Sequence, residues 1–136
     1  MMTYNFYDTS SLLLKTDNLF NDEEHIIISS ITLSELENIK TSNSKDADIK
    51  QSARKLIRLL AENPKLYTVW TFTLDMLEPI EKKNLPINDD MKILACAIDY
   101  DIKMHPDETV FFTNDLALYN IANLFFGEDS IKRIEK

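Results

Sequence analysis

Residues 5–14, Asn5-Phe6-Tyr7-Asp8-Thr9-Ser10-Ser11-Leu12-Leu13-Leu14, change character at Asp8. An apolar pair that suits a buried strand stands before it, and small hydroxyl residues with a leucine run stand behind it. Hydroxyl and carboxylate side chains satisfy the orphan amides of a first helical turn, so a strand ends near Asp8 and a helix starts at the Thr/Ser cluster. The same switch recurs downstream. His25-Ile26-Ile27-Ile28 is a β-branched run, and a helix over Ile31 to Lys40 follows it.

Outward from these two units the alternation continues. Residues 17–24 are polar and read as a loop or frayed turn, and residues 41–48 as a second polar loop. Ile49, Ala53, Leu56, Ile57, Leu60 and Ala61 recur at helical spacing until Asn63-Pro64 stops the helix. Tyr67 to Thr73 reads as a third strand, and Asp75 to Asn84 as a short helix broken at Pro79. Asp90 to Tyr100 is helical, with Ile93, Leu94, Ala97 and Ile98 on one face, and Thr109 to Phe112 is a fourth strand. Ala117 to Phe126 is a helix that Gly127 is placed to end in the left-handed conformation. Ile131 to Ile134 is a candidate edge strand. Strands alternating with helices imply an α/β fold, a central parallel sheet of four to five strands with helices on both faces. No repeat or composition shift divides the chain, so residues 1–136 are expected to form a single domain.

Composition narrows the chemistry. The 136 residues are 44% hydrophobic and 28% charged, an ordinary balance for a globular protein. No apolar run approaches the roughly 20 residues of a membrane helix, the amino terminus lacks a signal-peptide pattern, and Cys96 is a lone cysteine that can form no intramolecular disulfide. A cytoplasmic protein without a membrane partner is the expectation. Gly127 is the only glycine, which excludes the phosphate cradles built on two or more. Fifteen basic against 23 acidic residues leave a net charge of −8, which repels phosphate chains unless several acids gather around bound cations.

Four acids fall where such sheets do chemistry, at the carboxyl ends of strands. Asp8 ends the first strand, Asp115 the fourth, and Glu35 lies in the first turns of the helix after the second. Asp90 opens a helix that leads into a strand, so the same argument does not by itself bring it to that rim. Each acid also has an ordinary structural reading. Asp8 and Asp115 suit helix N-caps, Thr32-x-x-Glu35 fits a capping box, and Asn88-Asp89-Asp90 offers a cap as well. Together, clustered carboxylates repel and call for a cation, and hard oxygen donors suit Mg²⁺ or Mn²⁺ rather than zinc.

At these residues the chain resembles PIN domains, a family of metal-dependent nucleases. Tyr7-Asp8-Thr9-Ser10-Ser11-Leu12-Leu13 is similar to the family's first motif, and Thr32-Leu33-Ser34-Glu35-Leu36-Glu37 to the second, where an acid before Leu selects Glu35 over Glu37. Asp90-Met91-Lys92-Ile93-Leu94-Ala95-Cys96-Ala97 is similar to the third, and Phe111-Phe112-Thr113-Asn114-Asp115-Leu116-Ala117-Leu118 to the fourth. The stretch Ser52-Ala53-Arg54-Lys55-Leu56-Ile57-Arg58 resembles the PhoH-type branch, whose PIN domain often precedes an ATPase domain that this chain lacks.

The resemblance implies a metal-dependent endoribonuclease acting on single-stranded RNA, with Asp8, Glu35, Asp90 and Asp115 holding one or two Mg²⁺ or Mn²⁺ ions. The doubled Asp89-Asp90 leaves Asp89 as a rival for the third place. Ser10 and Thr113, with Thr9, are expected to orient ligands or phosphate. Lys50, Arg54 and Arg58 at i, i+4 and i+8 offer a basic stripe for RNA, with Arg54 as the substrate contact, although a solvated helix face reads the same way. RNA is the implied partner, with an antitoxin or another protein and a homodimer as further partners. The rival reading within the fold is a catalytically silent PIN-like module. An aspartate-nucleophile phosphatase would want Asp where Ser10 stands, and a receiver domain would want a lysine directly after the fourth strand. His25, His105, Cys96 and Trp70 read as structural residues.

Overall fold

A computed structural model describes residues 1–21 and 24–134. Five strands form one sheet: β1 (Thr3–Tyr7), β2 (Ile26–Ser29), β3 (Tyr67–Trp70), β4 (Glu108–Phe112) and β5 (Ile131–Lys132). Their order is β3-β2-β1-β4-β5, and each neighbouring pair is parallel. Among the described residues six α-helices flank the sheet: α1 (Thr9–Lys15), α2 (Ser30–Thr41), α3 (Ala47–Glu62), α4 (Glu78–Lys82), α5 (Asp89–Met104) and α6 (Leu116–Ala122).

Parallel strands covered on both faces must be apolar on both, and β1, β2 and β4 are. Phe6, Ile27 and Phe111 point into one core with Leu94, Ala97 and Tyr100 of α5 and Leu118 of α6. Their neighbours Tyr7, Ile26, Ile28, Val110 and Phe112 point into the other, with Leu12 of α1, Leu36 of α2 and Leu56 of α3. The chain winds one way from β1 to β3 and then crosses to β4 on the other side of β1. That reversal opens a crevice at the carboxyl ends of β1 and β4, where ligands of doubly wound sheets bind.

Several expectations are corrected. The third strand stops at Trp70, because its partner β2 ends at Ser29 and the Phe72 amide turns to donate to Ser30 Oγ at 2.9 Å. Pro79 sits in the first turn of α4, where no amide is needed, so it starts that helix rather than breaking it. Helix α6 ends at Ala122, not Phe126, and the chain turns so that Phe126 stacks on Phe111 at 6.0 Å. Gly127 has φ −67° and ψ 157°, an extended conformation rather than the left-handed one. Along α3 the buried stripe is Ala53, Leu56 and Leu60, while Ala61 is exposed and Ile49 is 37% exposed. The polar stretch 17–24 begins as a 3-10 turn over Thr16–Asn18, and two of its residues, Asp22 and Glu23, lie outside the described residues.

Candidate active site

Asp8 leaves β1 with an extended backbone and caps α1, its Oδ1 accepting from the Ser11 amide at 2.8 Å. The cap alone does not account for its surroundings. Oδ1 also accepts from the hydroxyls of Ser11 (2.8 Å) and Ser10 (2.9 Å), and Oδ2 accepts from Thr113 Oγ1. The carboxylate is only 2% exposed, and burial pushes its pKa up against the lowering effect of these donors, that of Thr113 first. A buried, hydroxyl-cradled carboxylate without a cationic partner is costly to keep ionised.

Thr113 is fully buried just beyond β4, and its Oγ1 also accepts from the Asp115 amide at 3.1 Å. Ser10 Oγ accepts from the Asn114 amide at 3.0 Å. The β1 and β4 ends are therefore stitched together through Asp8. Asp115 is exposed and caps α6 by accepting from the Leu118 amide at 3.0 Å.

Glu35 does not close a capping box. Ser29 caps α2 by accepting from the Ile31 amide at 2.9 Å, which leaves Glu35 free to reach inward. Its Oε1 accepts from Thr9 Oγ1 at 2.6 Å, and Thr9 lies 3.2 Å from the buried Thr32 hydroxyl. Glu37, by contrast, is exposed and pairs with Lys40 at 2.7 Å. At the head of α5 the cap is Asn88, which accepts from the Met91 amide at 3.0 Å. Asp89 is exposed, and Asp90 is half-buried.

The carboxylates share one electrostatic field. Burial raises the pKa of Glu35, and Asp90, Asp89 and Asp8 raise it further, against the opposing donation from Thr9. Burial raises Asp90 too, followed by the charges of Asp115, Asp8 and Asp89. Acids from four separate elements thus repel one another at the β1–β4 crevice. Among the described residues, no group of three or more His, Cys, Asp or Glu side chains stands in an arrangement that could hold a metal ion. The donor set itself is all carboxylate oxygen, and its mutual repulsion is what a hard divalent cation would relieve.

Arg54 stands apart from this rim. It lines a groove on α3 with Asp17, Gln51, Lys55, Arg58 and Glu62, none of them one of the four acids. Lys45 is closer, in the wall of a pocket shared with Glu35 and Asp89. Sequence reading missed Lys45, Ser11 and Asn114. For Ser11 the signal was present, since a third hydroxyl follows the Asp, whereas the other two lie in loops without periodicity. His25 packs edge-on against Tyr4 at 5.8 Å, before the amino end of β2. Cys96 is buried, and desolvation pushes its thiol up to about 11, which makes it inert as a nucleophile. Trp70 donates to Asp99 Oδ2 at 3.0 Å and stands edge-on to Tyr100 at 5.0 Å. No helix among the described residues is long and apolar enough to cross a membrane.

A family model described as PIN domain matches residues 6–125. Among solved structures the chain is similar to a member of the VapBC family of toxin-antitoxin systems, VapBC-5 from Mycobacterium tuberculosis. The identity is 17% and the TM-score 0.58, over 100% of each chain. Neither likeness supports the PhoH-type branch that residues 52–58 resemble. No curated protein matches.

Proposed function

The chain belongs to the PIN domain family, and from that premise we propose that it is a metal-dependent endoribonuclease of single-stranded RNA. In this reading Asp8, Glu35, Asp90 and Asp115 are the catalytic acids, and they hold one or two Mg²⁺ or Mn²⁺ ions. The observation that carries it is the buried Asp8 carboxylate, held through both oxygens by Ser10, Ser11 and Thr113 at the reversal point of the sheet, with Glu35 tied to Thr9 beside it and Asp90 near enough for the charges to raise one another's pKa. Structural caps have no reason to accumulate like charge from four elements in one crevice.

A divalent ion bound there would supply Lewis acidity and a water activated for attack on phosphorus. The protein's own contribution is positioning. Ser10, Ser11 and Thr113 fix both oxygens of Asp8, and Thr9 aims Glu35. Ser10 and Thr113 therefore serve as positioning residues in preference to substrate contacts. Lys45, beside Glu35 and Asp89, is better placed than Arg54 to meet an RNA phosphate. The toxin–antitoxin family named for the structural relative suggests an antitoxin as the protein partner.

The test uses purified protein stripped with a chelator and given single-stranded RNA. Cleavage should appear with Mn²⁺ or Mg²⁺ and disappear in Asp8→Asn. Intact RNA at millimolar ion, with calorimetry detecting no Mn²⁺ binding, would overturn the reading.

A further inference from the structure

A second pocket opens beside the acids, and the chemistry described so far leaves it without a role. It has a volume of about 400 Å³ and lies between α1, α3 and the turn after β4. Leu13, Leu14 and Ile49 supply its apolar surface, and Asp48 and Ser52 line it from α3. Ser10 and Asn114 form the wall it shares with the site, and the Ser10 hydroxyl bonds Asp8 on the other side of that wall. Whatever fills this pocket lies one side chain away from the candidate catalytic carboxylate.

Two features decide what it can take. Ile49 falls on the helical stripe that should be buried, yet it stays 37% exposed, and Leu13 and Leu14 are half-buried beside it. The Asp48 carboxylate is exposed at the edge of the pocket and has no hydrogen-bond or ion-pair partner among the described residues, the helix being capped by Asp46 instead. An aliphatic slot with one unpaired acceptor at its edge matches a flat heterocycle that carries N–H donors. It does not match a phosphate, which Asp48 would repel.

We propose that this pocket receives a base of the RNA strand next to the phosphate at the acids, with Asp48 reading its Watson–Crick edge. The proposal rests on the nuclease reading for its substrate, and its test does not require turnover. Unstacked bases of single-stranded RNA are recognised in this way, on apolar surfaces and by edge hydrogen bonds. Guanine presents two adjacent donors, N1–H and the 2-amino group, to which a carboxylate binds in bidentate fashion. Adenine and cytosine each offer one amino group. Uracil offers a single N–H flanked by two carbonyls that a carboxylate repels, so guanine should be preferred and uracil rejected. A bidentate base contact discriminates by about tenfold or more.

The experiment titrates the intact protein with GMP, AMP, CMP and UMP at millimolar concentrations, without metal. The methyl resonances of Leu13, Leu14 and Ile49 are followed, with inorganic phosphate as control. GMP should move these methyls and bind about tenfold more tightly than UMP. Asp48→Asn should erase the difference and Asp48→Glu should retain part of it. Alongside, cleavage of a random-sequence RNA pool should show guanine enriched at one position by the wild type and not by Asp48→Asn. Equal affinities for the four nucleotides overturn the proposal, as do methyls that GMP leaves unmoved or a preference that Asp48→Asn leaves intact. Guanine selectivity with no RNA cut by the wild type would leave the pocket standing and remove the nuclease reading. Cleavage without any Asp48-dependent preference would do the reverse.

Discussion

Asp115 has one observed role, capping α6, and one proposed role among the catalytic acids, and a substitution can pull the two apart. Its Oδ1 caps α6, and asparagine caps nearly as well as aspartate. Asp115→Asn should therefore leave the melting temperature within a degree or two while cutting metal-dependent RNA cleavage by a large factor. Circular-dichroism melts and an RNA cleavage assay check the two halves separately, and full activity in the variant would return Asp115 to a purely structural role. The same logic divides Asp89 from Asp90. Asn88 does the capping, Asp89 is exposed, and Asp90 is half-buried in the field of Asp8 and Asp115. Asp90→Asn should abolish cleavage, and Asp89→Asn should keep most of it. Loss of activity in Asp89→Asn alone would hand the third place to Asp89. Thr113 carries a different kind of load, because its buried hydroxyl both donates to Asp8 and accepts from the Asp115 amide. Thr113→Val should cost about 1.5–3 kcal/mol, the usual worth of a hydrogen bond to a charged group, and Thr113→Ser should recover most of it in urea unfolding.

At the level of elements, the acids are held by how four helices begin, α1, α2, α5 and α6. Asn88 sets the first turn of α5 and thereby the direction of Asp90, so Asn88→Ala should cost about 0.5–2 kcal/mol. It should also lower cleavage more than its stability loss explains, as a comparison of unfolding curves with turnover at saturating RNA would reveal. The beginnings of these elements were legible in the sequence because hydroxyls and acids stand next to abrupt changes of apolar period. Asp8-Thr9-Ser10-Ser11 marks a strand-to-helix junction in any context, and the isoleucines of β2 leave no alternative to a buried strand. Endings were less legible. Trp70 ends β3 because the neighbouring strand runs out, and α6 stops at Ala122 because Phe126 turns back onto Phe111. Both causes are tertiary contacts that local patterning does not encode. Nor does local patterning encode the path of the loop before α3, which brings Lys45 close to Glu35 and Asp89, whereas Arg54 sits on a regular helix face whose period the sequence displays.

Across the whole molecule, the proposed function asks a chain with a net charge of −8 to bind a polyanion at a crevice lined by acids. Bound cations reconcile the two, and the cost of the crevice without them should be visible in stability. Burial comes first in raising the pKa of Asp8, Glu35 and Asp90, with like charge adding to it at Glu35 and Asp90. A carboxyl whose folded pKa lies above its unfolded one binds its proton more tightly when folded. Its contribution to stability is complete below the unfolded pKa, about 4 for these groups, and is lost as pH rises through the folded value. Metal-free protein should therefore lose this contribution on going from pH 4 toward neutrality. Asp90→Asn removes one of the charges and cannot titrate. Its melting temperature should match the wild type near pH 4 and exceed it by a few degrees at pH 7. Added Mn²⁺ should invert that order, since an ion that binds only the folded state stabilises in proportion to its affinity and the variant has lost a ligand. Differential scanning calorimetry at the two pH values, with and without Mn²⁺, gives four comparisons. A wild type at least as stable as Asp90→Asn in metal-free buffer at pH 7 would show that the carboxylates are not in conflict. A Mn²⁺ response equal in both proteins would remove Asp90 from the ligand set.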